Sequence, residues 1–282
     1  MLAEITIQIL LIYALTGIFA GLIGGMLGLG DGIIIVPVLH YIFTQQGFEP
    51  SVVMHQAVTT SLATIIATSI FATYEHHRKR MVSWSIVNKI APGIFLGACF
   101  GVLVADSVSS SVLRIVFGCF EILVALQIWF DLKPKYMFTE FFSRRTQKKV
   151  EYTKLPKKGV FVFTGVIIGL FSTILGIGGG TLTVPFFLWL NFQMRNAVAI
   201  SSACSIPIAL AATIAFVFVS RDNPNIFTHS IGYLYWPAAL IIMMVTIFFA
   251  PIGARLAHYL PIDTLKCIFA VLLMFIGIKM LV

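Results

Sequence analysis

Predominantly apolar stretches of about twenty residues recur along this chain, at Val52 to Thr73, Trp84 to Ala105 and Ser111 to Phe130 among others, and a helix of that length spans a hydrocarbon core of roughly 30 Å. Hydrophobic residues make up 59% of the 282 and charged residues 11%, against about 25% charged in an ordinary soluble domain. A water-soluble fold has no interior large enough to hide so much apolar surface, so the expected class is an all-α, polytopic integral membrane protein whose partner is the lipid bilayer. The net charge of +8 does not point to nucleic acid. Nine of the 19 Lys and Arg lie between Lys133 and Lys158 and three more form Arg78-Lys79-Arg80, the pattern of cytoplasmic loops that set topology. Cys99, Cys119, Cys204 and Cys267 stand singly inside apolar runs and read as small core residues; no metal-ligating or cofactor-binding pattern is found. The first apolar run lacks a basic stretch before it and reads as a retained membrane segment.

The chain is written twice. Thr16 to Pro37, TGIFAGLIGGMLGLGDGIIIVP, lies over Thr164 to Pro185, TGVIIGLFSTILGIGGGTLTVP, with 10 identities in 22 positions at a constant offset of 148. Gln56-Ala57-Val58 with Ser61 then matches Asn196-Ala197-Val198 with Ser201, and Gly101 matches Gly253. The expected division is a repeat at 1–132, a basic cytoplasmic loop at 133–158 and a second repeat at 159–282. Each repeat reads as five apolar segments, of which the second is too short to cross: Ile33 to Thr44 would make a helix of only about 18 Å, and Leu182 to Leu190 a shorter one. The chain is therefore expected to turn back at the glycines in a broken or re-entrant hairpin. Three further spans then give each repeat an odd number of crossings, which makes the repeats inverted. That arrangement puts 14 basic residues on the cytoplasmic side and only Arg221 in the opposite loops.

Irregular backbone at membrane depth is tolerated only inside protein or along an aqueous cavity, so Gly28 to Gly32 and Gly176 to Gly180 are informative. Each cluster precedes a short helix, whose free N–H groups and positive end can hold an anion without a formal charge. The other reading is that these glycines only let helices approach closely. Thr59, Thr60 and Ser61 in one repeat and Ser201, Ser202 and Ser205 in the other, with Gln56 and Asn196 at equivalent places, supply hydroxyls and amides suited to an oxyanion, or bond their own backbone. Three ionisable residues are candidates for proton coupling: Asp31, which could instead cap the following helix; Glu121, which could pair with Arg114; and His55, a relay or a polar residue at a helix start. No Ser/His/Asp set, catalytic carboxylate pair or HExxH motif suggests an enzyme.

The doubled pattern GLGDGIIIVP and GIGGGTLTVP, followed by QAVTTS and NAVAIS, resembles the TauE/SafE family of sulfite exporters over essentially the whole chain. The resemblance implies a plasma-membrane carrier of sulfite, sulfonates or related small organic anions, proton-linked and working by alternating access. It points to Gly28, Gly30, Gly32, Gly176, Gly178, Gly179 and Gly180 as crossing-point loops, with Gln56 and Asn196 beside them. Asp31 departs from the pattern, where a third glycine is usual. A channel-like anion pathway and a carrier of non-sulfur carboxylates are the alternatives; homodimer formation is left open.

Overall fold

The computed structural model describes residues 2–27, 30–129, 158–221, 223–256 and 262–281, with side chains described from Ile7 in the first helix and from Ala270 in the last. Gly28 and the basic segment up to residue 157 lie outside the described residues. Lys158, assigned to the loop by its charge, opens a helix.

Ten helices follow in order: α1 (Leu2–Leu27), α2 (Gly32–Gln45), α3 (Val53–Arg78), α4 (Trp84–Ser107), α5 (Ser110–Trp129), α6 (Lys158–Leu175), α7 (Gly180–Trp189), α8 (Met194–Val219), α9 (Trp236–Leu256) and α10 (Ile262–Leu281). Among the described residues, seven are long and apolar enough to cross a membrane. The helix α2, with 14 residues, and α7, with 10, are not, because at 1.5 Å per residue they reach only about 21 and 15 Å. Large side chains such as Phe218, Phe248 and Trp189 are exposed around the outside, a surface suited to lipid rather than water. α3 and α8 carry the longest runs of buried residues and pack against each other in the centre.

The packing partners correspond between the two sequence repeats. α4 packs on α6 as α9 packs on α1; α4 meets α8 as α9 meets α3; α2 lies on α3 as α7 lies on α8; and α3–α8 and α5–α10 pair across the repeats. The duplicated glycines follow the same rule. Gly165 sits against the Ile90 carbonyl of α4 and Gly17 against the Ile242 carbonyl of α9, while Gly101 meets Leu170 of α6 and Gly253 meets Leu22 of α1. At these positions the close-approach reading of glycine holds: a β-carbon would run into a neighbouring backbone.

One element departs from the all-α expectation. A two-residue antiparallel pair, β1 (Ser230–Ile231) and β2 (Leu234–Tyr235), joins α8 to α9 around Gly232. Gly232 has a φ of +56°, a turn conformation that glycine adopts at little steric cost. The helix periodicity of the flanking spans hides so short a hairpin.

Candidate functional site

Both helix breaks follow from glycine. Gly30 has a φ of +90°, and Gly176, Gly178 and Gly179 have φ of +67°, +66° and +84°, a left-handed region closed to helix continuation and rarely entered by side-chain-bearing residues. The two breaks touch. A β-carbon on Gly30 would overlap the Ile177 carbonyl oxygen, and one on Gly32 would overlap the Gly176 carbonyl oxygen and come within 2.7 Å of the Ile177 Cα. Here too glycine permits close approach, but what approaches is the other break, so the free ends of α2 and α7 meet in the middle of the protein. Serines of α3 and α8 hold the second break: Ser61 Oγ donates to the Gly176 carbonyl at 3.0 Å, and Ser205 Oγ donates to the Gly178 carbonyl.

The surroundings of the second break are rich in hydroxyls. Ser172 and Thr183 flank Gly179, each with its oxygen 3.4 Å from where a β-carbon there would stand. Thr181 lies beside them in the first turn of α7. All three are buried, and none has a hydrogen-bond partner; the same is true of Ser201. Buried hydroxyls without partners are uncommon and call for an explanation such as a water or a ligand. Ser172, Thr181 and Thr183 stand at the positive end of α7, where an oxyanion gains from donors and helix dipole together.

On the first break, Asp31 precedes α2 but makes no side-chain cap bond; its backbone carbonyl takes the Ile34 and Ile35 amides instead. The capping alternative is therefore not realised. The carboxylate turns into a small cavity of about 30 Å³ lined by Gly24, Gly25, Gly30, Asp31, Ile65, Thr68, Ser69, Ala72, Ser202 and Ser205. Its Oδ2 has no partner, and the residue is 3% exposed. The cavity lies toward the Arg78 end of α3, since Thr68 is eight residues, about 12 Å, past Thr60 on that helix.

Past Thr60 in the other direction the path is closed. Tyr235 N–H donates to Thr60 Oγ1 at 3.1 Å, and Gln56 Nε2 donates to Ser230 Oγ at 3.2 Å, tying the β1–β2 hairpin to α3. Phe43, Phe48, Phe227 and Tyr235 stack above, with Phe48 3.9 Å from Phe227 between ring centres. Tyr233 donates to Asp106 Oδ1 at 3.2 Å. Burial, and then the Asp106 carboxylate, push that phenol above its ordinary value, which keeps it a donor.

The sequence-predicted residues divide accordingly. Gly30, Asp31, Gly32, Ser61, Gly176, Gly178, Gly179, Gly180 and Ser202 gather at the breaks and the cavity, with Ser201 beside them on α8. Gln56 and Thr60 belong to the hairpin closure, and Asn196 sits in the first turn of α8, outside the cavity lining. His55 directs Nε2 at the Ala105 and Val108 carbonyls at 3.0 and 3.2 Å, joining α3 to the end of α4. Glu121 is buried on α5 with its β-carbon facing Gly277 of α10; neither carboxylate oxygen has a partner, so the pairing with Arg114 does not form. Thr68, Ser69, Ser172, Thr181 and Thr183 were not singled out by the sequence. The run Thr60, Thr64, Thr68 at four-residue spacing in an otherwise apolar helix is a signal that finds Thr68.

Helices broken at the centre of a polytopic bundle, two of them meeting end to end, define a membrane transporter of the broken-helix kind. The chain belongs to the Sulfite exporter TauE/SafE family, whose pattern matches residues 13–280. It is 29% identical to a probable membrane transporter protein of Haemophilus influenzae, over 96% of this chain and 97% of that one. It is 26% identical to the probable membrane transporter protein MJ0441 of Methanocaldococcus jannaschii, over 95% and 93%, and 26% identical to YunE of Bacillus subtilis, likewise a probable membrane transporter protein, over 96% of both. No protein of solved structure matches.

Proposed function

We propose that this protein is a secondary transporter moving a small sulfur-containing anion, sulfite or a sulfonate, out across the plasma membrane by alternating access between two inverted repeats. The 133–158 loop then faces the cytoplasm, and Asp31, the charged group in the cavity lining, carries the coupling to an ion gradient, a proton gradient by the family resemblance. The carrying observation is that the two glycine breaks meet at the centre, with a cavity on one side and a hydrogen-bonded, aromatic closure on the other. That arrangement supports a carrier closed on the hairpin side. The exchange of packing partners between the repeats supports it, because a second state can form when the repeats trade roles. The oxyanion would sit against the start of α7, bound by the Ser172, Thr181 and Thr183 hydroxyls and by N–H groups of the break. Binding through dipoles, with no buried Arg or Lys among the described residues, keeps the substrate releasable.

The test is reconstitution of the purified protein into liposomes, with uptake of labelled sulfite, sulfoacetate and simple carboxylates measured with and without an imposed pH gradient. Saturable flux of the sulfur anions, reduced at least tenfold by Gly178→Ala in a protein that still elutes as one species, is expected. Flux proportional to concentration without saturation would favour a channel, and no flux from folded protein would sink the transport reading.

A further inference from the structure

The four hydroxyls that line the cavity with Asp31 have already spent their protons. Thr68 Oγ1 donates to the Thr64 carbonyl at 3.2 Å, Ser69 Oγ to the Ile65 carbonyl, Ser202 Oγ to the Val198 carbonyl at 3.0 Å, and Ser205 Oγ to the Gly178 carbonyl or to that of Ser201 at 3.1 Å. The Thr68 hydroxyl also lies against the Asp31 carboxyl, so whichever oxygen takes its proton, the cavity receives none. A hydroxyl has one proton and two lone pairs; what these four can turn toward the cavity is lone pairs. Beside them stands a carboxylate whose Oδ2 has no partner and which is 3% exposed. Gly24 and Gly25, in the last turn of α1, complete the wall, bringing the negative end of that helix dipole to the same space. Against the start of α2, whose Gly32 N–H reaches the Asp31 carboxyl, the carboxylate, the hydroxyl lone pairs and the end of α1 present a lining that repels an anion. An ionised carboxylate buried without a counter-charge costs several kcal/mol, and the shell around it is an acceptor shell.

We infer that Asp31, Thr68, Ser69, Ser202 and Ser205 form a binding site for a small monovalent metal cation such as sodium. The cavity they line offers oxygen lone pairs beside a carboxylate, and hard cations take oxygen ligands of this kind. One carboxylate supplies one charge, which balances a monovalent ion and leaves a divalent ion under-compensated. The ligands come from both repeats: Asp31 from the first break, Thr68 and Ser69 from α3, and Ser202 and Ser205 from α8. Because Ser205 also holds the Gly178 carbonyl, an ion drawn to its oxygen bears on the second break, where the anion is proposed to sit. The inference rests on the transport reading only for its purpose, in which the metal cation takes the coupling role at Asp31 that the family resemblance gives to a proton; the binding itself stands alone.

The experiment measures thermal unfolding and equilibrium binding of labelled sodium on the purified full-length protein, in sodium, potassium and choline chloride at one ionic strength. Saturable stabilisation by sodium over choline is expected, with one ion bound per chain. Asp31→Asn should abolish it, and Ser69→Ala and Ser205→Ala should raise the half-saturating sodium concentration by tenfold or more. If Asp31→Asn does not fold, Asp31→Gly, the residue of the second break, takes its place. Coincident unfolding curves in the three salts, an undiminished sodium response in the Asp31 variant, or stabilisation by acid alone would each overturn the site. Anion flux in liposomes separates the two proposals: flux without sodium binding removes the cation site and leaves the carrier, whereas sodium binding without flux leaves the cation site and removes the carrier.

Discussion

The two glycine breaks share their glycine spacing and differ in what surrounds it, down to the backbone just before the short helix: Asp31 has a φ of -74° where its counterpart Gly179 has +84°. Offset by 148 residues, Gly24, Asp31, Ile33 and Ile35 of the first correspond to Ser172, Gly179, Thr181 and Thr183 of the second. The first break thus has a carboxylate among glycines and isoleucines, and the second has hydroxyls around a glycine. The duplication kept what the turn requires, residues able to take positive φ and to let the other break approach, and let the chemistry diverge. Where the second break keeps buried donors without partners, the first faces a cavity whose hydroxyls offer only lone pairs. Two similar breaks can therefore hold ions of opposite sign, which a pair of identical anion sites would not do.

The largest effect should come from the place where the two breaks touch. A side chain on Gly32 would collide with the Gly176 carbonyl and the Ile177 Cα. Neither is the end of a flexible side chain, so Gly32→Val is expected to cost more than about 4 kcal/mol, the range of severe core damage, and to remove the monodisperse peak in size-exclusion chromatography. Gly178→Ala is a milder change. Its β-carbon meets Ile65 Cγ2 at 2.8 Å, a side chain that can rotate away, and the left-handed backbone adds roughly 1–3 kcal/mol of strain. That variant should stay folded with a lowered melting temperature. Equal tolerance of both substitutions would mean that the breaks are not in backbone contact.

The chemistry of the second break predicts a smaller and more selective effect. Ser172→Ala and Thr183→Val each remove one buried donor, worth about 1–1.5 kcal/mol when it is used, so each should raise the half-saturating anion concentration roughly five- to tenfold, measured from initial rates in liposomes. Neither should move the sodium response. Unchanged anion affinity in both variants would place the substrate elsewhere and undo the contrast between the breaks.

Much of this organisation is legible in the sequence because membrane proteins have few ways to arrange backbone. The short helices α2 and α7 follow from the spacing between the glycine clusters and the next polar residues, and Gly30 and Gly178 are marked by their recurrence in a lipid-like composition. What resists reading is the direction of hydrogen bonds. Thr68 and Thr183 are both threonines in apolar helices, yet one gives its proton to the turn before it and the other has no acceptor, a difference set by tertiary neighbours. Asp31 next to a helix start reads as a cap, and only the fold shows its carboxyl in the cavity lining beside Thr68. The hairpin at Ser230–Tyr235 escapes because two-residue strands have no period to detect.

That hairpin yields the smallest effect and the one that separates the ends of a single helix. Along α3, Thr60 accepts the Tyr235 amide while Thr68, two turns on, faces the cavity. The valine variants keep volume and shape but lose the hydroxyl. Thr60→Val leaves the Tyr235 N–H without its acceptor, a loss of about 1 kcal/mol that corresponds to roughly fivefold more frequent opening. Amide hydrogen exchange should therefore quicken by about that factor over residues 230–235 while the sodium response stays as it was. Thr68→Val should do the reverse, weakening sodium binding with the hairpin amides unchanged. If both variants loosened the hairpin and weakened sodium binding alike, the closure and the cavity would be one cooperative unit. The asymmetry between the breaks would then have to be read as a property of the whole bundle rather than of the residues around each glycine.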